Sequence, residues 1–328
     1  MLFIGGTGTI SAAASAAAVA QGLQLTILNR GRTTLRPAPA GAKVLTADIR
    51  DPAAVRKALG RRRFDVVVDF VAFTPEHVQR DIELFEGRTG QYVFISSASA
   101  YQTPPARLPI TESTPLRNPF WQYSRDKIAC EELLVAAYRE RGFPATIVRP
   151  SHTYDETRVP LLGEWTAMDR MRRGAPVVVQ GDGTSLWTLT HSRDFARGFV
   201  GLLGNPQAIG DSFHITSDES LTWNQITDLL AAAAGVRAEI VHVASDAIAA
   251  ANPDVGASLL GDRSHSVLFD NRKIKALVPG FVATTPFSSG AREIVDWYAS
   301  HPDAQVVDRD LDALFDRLVV ASRFTRKR

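Results

Sequence analysis

The chain has 328 residues, of which 45% are hydrophobic and 22% charged, with 37 Lys and Arg against 35 Asp and Glu. This ordinary composition excludes disordered, collagen-like and low-complexity proteins. The length fits about two domains of roughly 150 residues each. The last six residues carry four bases and no acid, so the rest of the chain has a small excess of acid. A basic face that would bind nucleic acid is therefore not expected.

The cellular compartment is indicated by one cysteine and by the hydropathy pattern. Cys130 is the only cysteine, so no intrachain disulfide can form and a reducing compartment is expected. The first residues lack the basic segment of a secretory signal, and no apolar stretch reaches the roughly 18 residues that span a bilayer. We predict a cytoplasmic protein that binds a small-molecule substrate and neither nucleic acid nor membrane.

The first half of the chain alternates short apolar runs with longer helical segments. A strand at 2–5 precedes an alanine-rich helix at 10–21, and this order recurs to about residue 150. The further predicted strands are 23–29, 43–47, 64–71, 91–96 and 145–148, and the further helices are 52–59, 75–85 and 122–141. Strands that alternate with helices form right-handed βαβ units around a buried parallel sheet. We predict an α/β fold with a Rossmann-type doubly wound parallel sheet.

The second half has a looser pattern. Its predicted elements are strands at 177–180, 213–216 and 239–243 and helices near 161–173, 223–234 and 292–300. We interpret this half as a smaller mixed α/β C-terminal lobe that binds substrate. The predicted division is a dinucleotide-binding domain at 1–150 and a lobe at 151–328, with segments near 176–205 returning to the first domain, because lobes of this kind exchange strands.

A glycine-rich turn joins the first strand to the first helix, with the sequence Gly5-Gly6-Thr7-Gly8-Thr9-Ile10-Ser11. Such a turn lets the backbone approach a pyrophosphate, which then lies at the helix N-terminus where unpaired N–H groups favour an anion. Gly5 and Gly8 match two glycines of the dinucleotide fingerprint, and Ser11 occupies the third position. The place of this turn directly after the first strand predicts a dinucleotide site.

The end of the second strand indicates which nicotinamide cofactor is bound. Folds of this type that prefer NAD place an acid there, whereas this chain has Asn29 followed by Arg30 and Arg32. Arginine can contact the oxygens of a 2′-phosphate bidentately. The sequence therefore favours NADP(H), with NAD(H) as the alternative.

A serine, a tyrosine and a lysine form the candidate catalytic group. Ser96 and Ser97 end the fifth strand, and Tyr123 and Lys127 are four residues apart on the next helix, so they share one face. A tyrosine that acts as a base near pH 7 needs its pKa lowered by about three units from about 10. Positive charge from Lys127 and from oxidised nicotinamide can lower it. We expect Tyr123 to exchange a proton with the substrate oxygen and Ser97 to hydrogen-bond that oxygen.

With these motifs the chain resembles the short-chain dehydrogenase/reductase superfamily, in its extended, epimerase/dehydratase-like branch. The matching segments are Gly5-Gly6-Thr7-Gly8, Asp48-Ile49-Arg50-Asp51, Ile95-Ser96-Ser97, Tyr123-x-x-x-Lys127, Arg149-Pro150 and His191-Ser192-Arg193-Asp194. The resemblance implies that Ser97, Tyr123 and Lys127 are catalytic, and that Lys127 also holds the nicotinamide ribose. The expected cofactor-binding residues are Gly5, Thr7, Gly8, Thr9, Ile10, Arg30, Arg32, Asp48, Ile49, Val71, Ala72, Ser96, Lys127, Pro150 and His152, with Asp48 facing the adenine.

One departure from the resemblance bears on the substrate. Nucleotide-sugar epimerases of this branch have an arginine, four residues before the matching histidine, that binds the diphosphate, and this chain has Trp187 there. Tryptophan cannot neutralise a diphosphate, although arginines at 170, 172 and 173 are candidate replacements.

Several other residues have simple structural interpretations. Cys130, one helical turn after Lys127, is expected in the core. His152 could contact the cofactor or substrate or simply pack, and His191 is interpreted as structural. The seven histidines show no metal-ligand spacing, so no catalytic metal is predicted.

Three functions fit the sequence. The first is an NAD(P)-dependent oxidoreductase that interconverts a carbonyl and a secondary alcohol on a sugar-like or other polar small molecule. The second is an NAD-dependent sugar epimerase or dehydratase that retains its cofactor. The third is a non-enzymatic relative that senses nucleotides or binds RNA. By resemblance, the helices at 75–85 and 122–141 are expected to form a homodimer interface.

Overall fold

The computed structural model describes residues 1–32 and 35–325. The strands in chain order are β1 (Leu2–Ile4), β2 (Thr26–Asn29), β3 (Lys43–Thr46), β4 (Phe64–Asp69), β5 (Thr89–Ile95), β6 (Ala145–Pro150), β7 (His152–Tyr154), β8 (Val177–Gln180), β9 (Leu186–Trp187), β10 (Leu189–His191), β11 (Ser212–Ile215), β12 (Leu221–Thr222) and β13 (Ile240–Val243). The α-helices are α1 (Thr9–Ala20), α2 (Pro52–Leu59), α3 (Pro75–Phe85), α4 (Gln122–Arg141), α5 (Trp165–Arg172), α6 (Ser192–Val200), α7 (Trp223–Ala233), α8 (Ser245–Ala251), α9 (Pro253–Ser258), α10 (Arg272–Leu277), α11 (Phe287–Ser300) and α12 (Arg309–Thr325). A π-helical turn, Leu259–Arg263, follows α9.

Seven strands form one parallel sheet in the order β11-β6-β5-β4-β1-β2-β3. β1 pairs with β2 on one side and with β4 on the other. The strand order therefore reverses at β1, and a ligand cleft is expected at the carboxyl ends of β1 and β4. Val66, Val67 and Val68 are buried, as in a strand covered on both faces. The predicted Rossmann-type sheet is confirmed.

Helices cover both faces of this sheet. On one face Ala14 and Ala18 of α1 pack with Phe195 and Phe199 of α6, where the small alanines let the two helices approach the strands. On the other face α2, α3 and α4 bury their apolar side chains, including Cys130 of α4. The burial of Cys130 agrees with its interpretation as a core residue.

The second lobe contains three short two-stranded sheets. β7 pairs with β10 and β8 with β13 in parallel, whereas β9 and β12 are antiparallel. Trp165, Trp187 and Trp223 share one core with apolar residues of α7 and α11. A second core forms where Phe315 of α12 packs near β8 and β13.

The predicted returning segments are divided between the two lobes. β11 lies beside β6 at the edge of the large sheet, and α6 packs against α1. β8, in contrast, pairs with β13 inside the second lobe. The domain boundary near residue 150 stays a prediction.

Two helices begin at other positions than the sequence indicated. α5 begins at Trp165 instead of 161, because Gly163 and Glu164 have φ angles of +85° and +45°, which a right-handed helix cannot contain. α11 begins at Phe287, five residues before its predicted start. Its first turn contains two serines and Gly290, where a Cβ would lie 2.2 Å from the Tyr154 hydroxyl, so tertiary packing selects a residue of low helix propensity.

Two further predictions concern association with membranes and with a second copy. Among the described residues, no helix has the length and hydropathy to cross a membrane. α3 and α4 lie side by side on one face of the large sheet. The homodimer through these helices stays a prediction, and small-angle scattering tests it, since a monomer at micromolar concentration would contradict it.

Candidate active site

The glycine turn after β1 is held by its own contacts. Gly5 has a φ of +80°, and a Cβ there would lie 2.4 Å from Val71 Cγ1, so this position favours glycine. The Ser11 hydroxyl donates to the Gly5 carbonyl at 2.6 Å and accepts from the Gly8 amide at 2.7 Å. Ser11, which stands at the third fingerprint position, therefore fastens both ends of the turn.

The start of α1 suits an anion. Its first turn contains no acidic side chain, so the positive end of the helix dipole is not offset. Gly5 and Gly8 have no side chain that would block access to the backbone N–H groups at this end. The residues present therefore fit the pyrophosphate of a dinucleotide. Thr9 opens the helix but does not line the cleft beside it.

A first cavity of about 290 Å³ opens beside this turn. It brings together eight of the predicted cofactor residues, which are Gly5, Thr7, Gly8, Arg30, Arg32, Asp48, Ile49 and Val71. Arg30 and Arg32 are exposed, and neither makes an ion pair with any described residue. The Asn29 side chain accepts from the Gly31 amide at 3.0 Å, so it is turned toward its own loop.

A second cavity of about 270 Å³ holds the predicted catalytic residues Ser97, Tyr123 and Lys127. The predicted cofactor residues Ile10, Ser96, Pro150 and His152 also line it. Phe73 lines both cavities, so it lies between the two regions.

Lys127 is buried at the floor of the second cavity. Its Nζ donates to the carbonyls of Ala72 and Ile95, each at 2.7 Å. Ala72, predicted as a cofactor contact, is buried and supports this ammonium instead of lining either cavity. Burial lowers the pKa of Lys127 to about 8, although neighbouring acidic groups oppose this change. Two of the three ammonium donors are used within the protein, which leaves one for a ligand hydroxyl.

Tyr123 stands above Lys127 with its ring among other aromatic rings. The ring centroid of Trp121 lies 4.7 Å away and that of Phe73 6.4 Å away. Burial raises the pKa of the phenol to about 12, while a hydrogen bond with Ser97 acts in the opposite direction. The tyrosine is therefore neutral near pH 7 when only protein groups surround it.

Ser97 belongs to a chain of hydroxyl groups. Its Oγ lies 2.9 Å from Ser99 Oγ, which accepts from the Ser124 hydroxyl at 2.8 Å. Ser97 also caps a short 3₁₀ turn through the Ser99 amide. These contacts fix the Ser97 hydroxyl beside the phenol of Tyr123.

Comparison with known proteins identifies the family. A family model described as the NAD dependent epimerase/dehydratase family matches residues 1–216. The chain belongs to this family. Its fold resembles that of a solved epimerase from Methanothermobacter thermautotrophicus, with a TM-score of 0.76, 15% identity and 93% of each chain covered. The resemblance that the motifs indicated is confirmed.

Two relatives of this chain have names that indicate different functions. The chloroplast stem-loop binding protein of 41 kDa b from Arabidopsis thaliana is 28% identical over 255 residues, which are 74% of this chain and 65% of the relative. The 2'-dehydrokanamycin reductase of Streptomyces kanamyceticus is 27% identical over 233 residues, which are 69% of this chain and 64% of the relative. The matched part is slightly less than two thirds of either relative.

This member of the epimerase/dehydratase family uses Trp187 to orient His152. The indole Nε1 donates to His152 Nδ1 at 3.2 Å, so the neutral imidazole carries its proton on Nε2. Burial, together with Arg263 and Arg158, holds the pKa of His152 well below its usual range. His152 therefore presents an N–H donor to the second cavity rather than a charge.

The candidate replacements for the missing diphosphate arginine do not line this cavity. Arg170 is fully buried and pairs with Asp312 and Asp316 of α12. Arg173 pairs with Asp169 and Asp312, and the third candidate, Arg172, lies over the Trp165 ring. The arginines that do line the second cavity are Arg158 and Arg263. They come from loops whose place in the fold the sequence did not indicate.

His191 caps a helix and lies beside two carboxylates. It caps α6, because its Nδ1 accepts from the Arg193 amide at 3.1 Å. Its Nε2 lies 3.2 Å from a Glu293 carboxylate oxygen, and Glu156 is close by. A neutral histidine whose Nδ1 accepts a hydrogen bond carries its proton on Nε2, so metal binding through Nε2 would compete with the helix cap. The absence of a catalytic metal stays a prediction.

A buried ion pair near Lys127 was missed by sequence reasoning. Glu131 lies one helical turn after Lys127 and accepts from Arg149 Nε at 2.9 Å. The Ser96 hydroxyl also donates to Glu131. Ser96, predicted as a cofactor contact, thus supports the end of β5 through this carboxylate. The signal was present, since Glu131 has the same helical spacing from Lys127 as Lys127 has from Tyr123.

Proposed function

We propose that the enzyme is an NADP-preferring oxidoreductase that interconverts a carbonyl and a secondary alcohol on a sugar-like or other polar small molecule. The observation that carries this proposal is the meeting of the Tyr123 phenol, the Ser97 hydroxyl and the Lys127 ammonium in one cavity next to the cleft of the glycine turn. The Streptomyces relative is a reductase by name, which supports the same class of reaction.

The protonation state of Tyr123 favours the reductive direction. Its pKa of about 12 keeps the phenol protonated near neutral pH. During reduction the substrate oxygen gains negative charge, and Tyr123 donates its proton to that oxygen. Ser97 donates a hydrogen bond to the same oxygen and stabilises the developing charge. When bound, the nicotinamide supplies the hydride that the carbonyl carbon receives.

Lys127 has two tasks in this proposal. Its remaining donor would hold the nicotinamide ribose, because its other two donors are fixed by the carbonyls of Ala72 and Ile95. Its positive charge, with Nζ 5.8 Å from the Tyr123 ring centroid, stabilises the phenolate that proton donation leaves behind. Lys127 therefore makes the proton easier to release without itself contacting the substrate.

The preference for NADP is supported by the charges at the end of β2. Arg30 and Arg32 line the first cavity and have no acidic partner among the described residues, so their guanidinium groups are available to a 2′-phosphate. Asn29, the residue where NAD-preferring relatives carry an acid, has no charge to repel that phosphate.

A retained-cofactor epimerase is the second candidate. The Arg36 side chain lines the first cavity and pairs with Asp155 of the second lobe at 2.6 Å. A bond between the lobes at this place slows the exit of a cofactor, which favours an enzyme that returns its hydride within one turnover. Solved structures of the same fold include a dehydratase and an epimerase with bound NAD, which is consistent with this candidate.

An RNA-binding role is the alternative from another class, suggested by the name of the Arabidopsis relative. The presence of both Tyr123 and Lys127 and the small acidic excess of the first 322 residues oppose it. Micromolar binding of a stem-loop RNA at physiological salt, unchanged in Tyr123→Phe, would favour it over an oxidoreductase.

The test begins with the cofactor. The purified protein is denatured, any released nucleotide is identified by mass, and the emptied protein is titrated with NADPH and NADH. We expect little bound nucleotide and tighter binding of NADPH. Stoichiometric bound NAD would support the epimerase, and binding of neither nucleotide would contradict both enzymatic candidates.

A further inference from the structure

A turn of the second lobe brings two charged side chains into the catalytic cavity. Asp262 and Arg263 end the π-helical turn Leu259–Arg263 and line the cavity that holds Tyr123. The Asp262 carboxylate is close enough to act electrostatically on both Tyr123 and Arg263. Neither residue belongs to the Ser97, Tyr123 and Lys127 group, and no local motif pointed to them.

The backbone of this turn is anchored tightly. Asn118 is buried, and its Nδ2 donates to the Gly261 carbonyl at 2.6 Å and to the Ser99 carbonyl at 2.9 Å. A Cβ at Gly261 would lie 2.6 Å from Trp121 Cβ, so glycine is needed for this approach. The Arg263 carbonyl accepts from Trp223 Nε1 at 3.0 Å. The turn is therefore fixed to the catalytic helix on one side and to the second-lobe core on the other.

The polar ends of the two side chains, in contrast, have no protein partner. Neither the Asp262 carboxylate nor the Arg263 guanidinium makes a hydrogen bond or a close ion pair with any residue in the described part of the chain. The Arg263 guanidinium lies 5.9 Å from the centroid of the Trp223 ring. Partly buried charges without hydrogen bonds are costly to a fold, so their presence beside a reactive tyrosine indicates a ligand that completes them.

The charge balance of the cavity restricts the chemistry of that ligand. Asp262 and Arg263 offset each other, and Arg158 pairs with Glu164 at 3.2 Å. Lys127 is committed to two carbonyls. A diphosphate would be repelled by Asp262, and the cavity has too little positive charge to neutralise the diphosphate. A cationic group would be repelled by Arg158 and Arg263. A neutral ligand is therefore favoured over both.

The uncharged part of the cavity supports a ring-shaped ligand. Trp121, Trp187 and Phe269 line it with aromatic surface, while His152 contributes an N–H donor. Aromatic faces bind the apolar C–H faces of a sugar or cyclitol, and a carboxylate with a guanidinium can accept from and donate to adjacent hydroxyls.

We propose that Asp262 and Arg263 are the specificity-determining pair of this enzyme and that they bind adjacent hydroxyls of a neutral, non-nucleotide polyol ring. The proposal rests on the proposed oxidoreductase function and names its substrate class. Asp262 accepts from one hydroxyl and Arg263 donates to its neighbour, so the carbon that carries the reacting oxygen is directed toward Tyr123. These residues position the substrate and take no part in hydride or proton transfer.

The test uses the full chain with NADP⁺ and a panel of neutral hexoses, methyl glycosides and cyclitols, with UDP-glucose for comparison. Oxidation is followed by nicotinamide absorbance, and binding by calorimetry in the presence of cofactor. We expect turnover with at least one neutral polyol and none with UDP-glucose. Asp262→Asn is expected to raise KM about 10- to 100-fold and to change kcat less than threefold, since a neutral amide, which is also a donor, replaces the charged acceptor.

The control is Asp228→Asn, which alters an exposed carboxylate of α7 outside the cavity and should leave KM unchanged. Turnover or tight binding of UDP-glucose, no neutral polyol that reacts or binds, or an unchanged KM in Asp262→Asn overturns the proposal. The proposed function fails separately, if neither nicotinamide nucleotide binds or if Tyr123→Phe leaves turnover intact. Turnover that depends on Tyr123 but not on Asp262 would contradict the proposed specificity pair and leave the proposed function standing.

Discussion

The guanidinium of Arg36 forms a bidentate ion pair with the carboxylate of Asp155, with distances of 2.6 Å from Nε to Oδ2 and 3.0 Å from Nη2 to Oδ1. Arg36 belongs to the loop after β2, and Asp155 follows β7 in the second lobe. Asp155 is buried and also accepts from the Thr157 amide at 3.0 Å. The pair therefore joins the two lobes where Arg36 lines the first cavity.

Breaking this pair should speed cofactor exchange. In Arg36→Ala we expect NADPH to dissociate about tenfold faster, because loss of a partly buried charge-assisted contact is worth about 1.5 kcal/mol. Stopped-flow displacement of bound NADPH measures the rate. Arg193→Ala, which removes another ion pair at some distance from the cleft, serves as the control. An unchanged dissociation rate in Arg36→Ala would show that the pair does not hold the cleft closed.

Cofactor preference should depend on the two arginines after β2. The double substitution Arg30→Ala and Arg32→Ala is expected to weaken NADPH binding by about 10- to 100-fold and to leave NADH binding nearly unchanged. Fluorescence titration of both nucleotides measures the change. Arg61→Ala removes an exposed arginine outside the cleft and controls for net charge. Equal losses for NADPH and NADH would contradict recognition of the 2′-phosphate.

The two predicted catalytic residues, Tyr123 and Lys127, should affect activity differently as the pH changes. Tyr123→Phe is expected to lower kcat by about 10² to 10⁴ without changing NADPH affinity, because only the transferable proton is lost. With a pKa of about 12, Tyr123 stays protonated through the alkaline range. Lys127, with a pKa of about 8, loses its charge first, so reduction should slow as the pH rises through about 8.

Lys127→Arg tests whether Lys127 causes this decline in rate at alkaline pH. A guanidinium stays charged far above pH 8, so the activity that remains in this variant should no longer fall near that pH. Rates are measured with saturating NADPH from pH 6 to about 10. If the rate of Lys127→Arg still falls near pH 8, another group causes the decline.

Asp262 should impose a stability cost that depends on pH. Burial raises its pKa to about 7, with Arg263 opposing the change. An acid whose pKa is higher in the folded state binds protons on folding, so the cost is complete above about pH 7 and disappears as the pH falls toward about 4. Asp262→Asn should therefore be more stable than the natural protein by about 2 kcal/mol at pH 8, after allowance for partial solvent exposure.

Urea unfolding at pH 8 and at pH 4.5 measures this difference. The gain in Asp262→Asn should shrink at the lower pH, whereas Asp228→Asn should behave as the natural protein at both. If Asp262→Asn is more stable but binds substrate more weakly, the natural carboxylate serves binding and lowers the stability of the fold. A less stable Asp262→Asn would instead indicate a structural role for the carboxylate.

Features that depend on local order could be predicted from the sequence alone. The glycine turn follows β1 directly, and the spacing of Tyr123 and Lys127 on one helix fixes their common face, so both were visible without coordinates. The alternation of strands and helices likewise determined the Rossmann-type sheet, because a parallel sheet needs a crossover between successive strands.

Contacts between distant segments could not be predicted in this way, because they depend on tertiary packing. Arg36 and Asp155 are 119 residues apart, and Asp262 reaches Tyr123 because Gly261 packs against Trp121. No periodicity relates such residues, since they belong to separate elements whose contact depends on tertiary packing. The candidate catalytic group could therefore be predicted from the sequence, whereas the side chains proposed to close the cofactor cleft and to select the substrate are brought together only by tertiary packing.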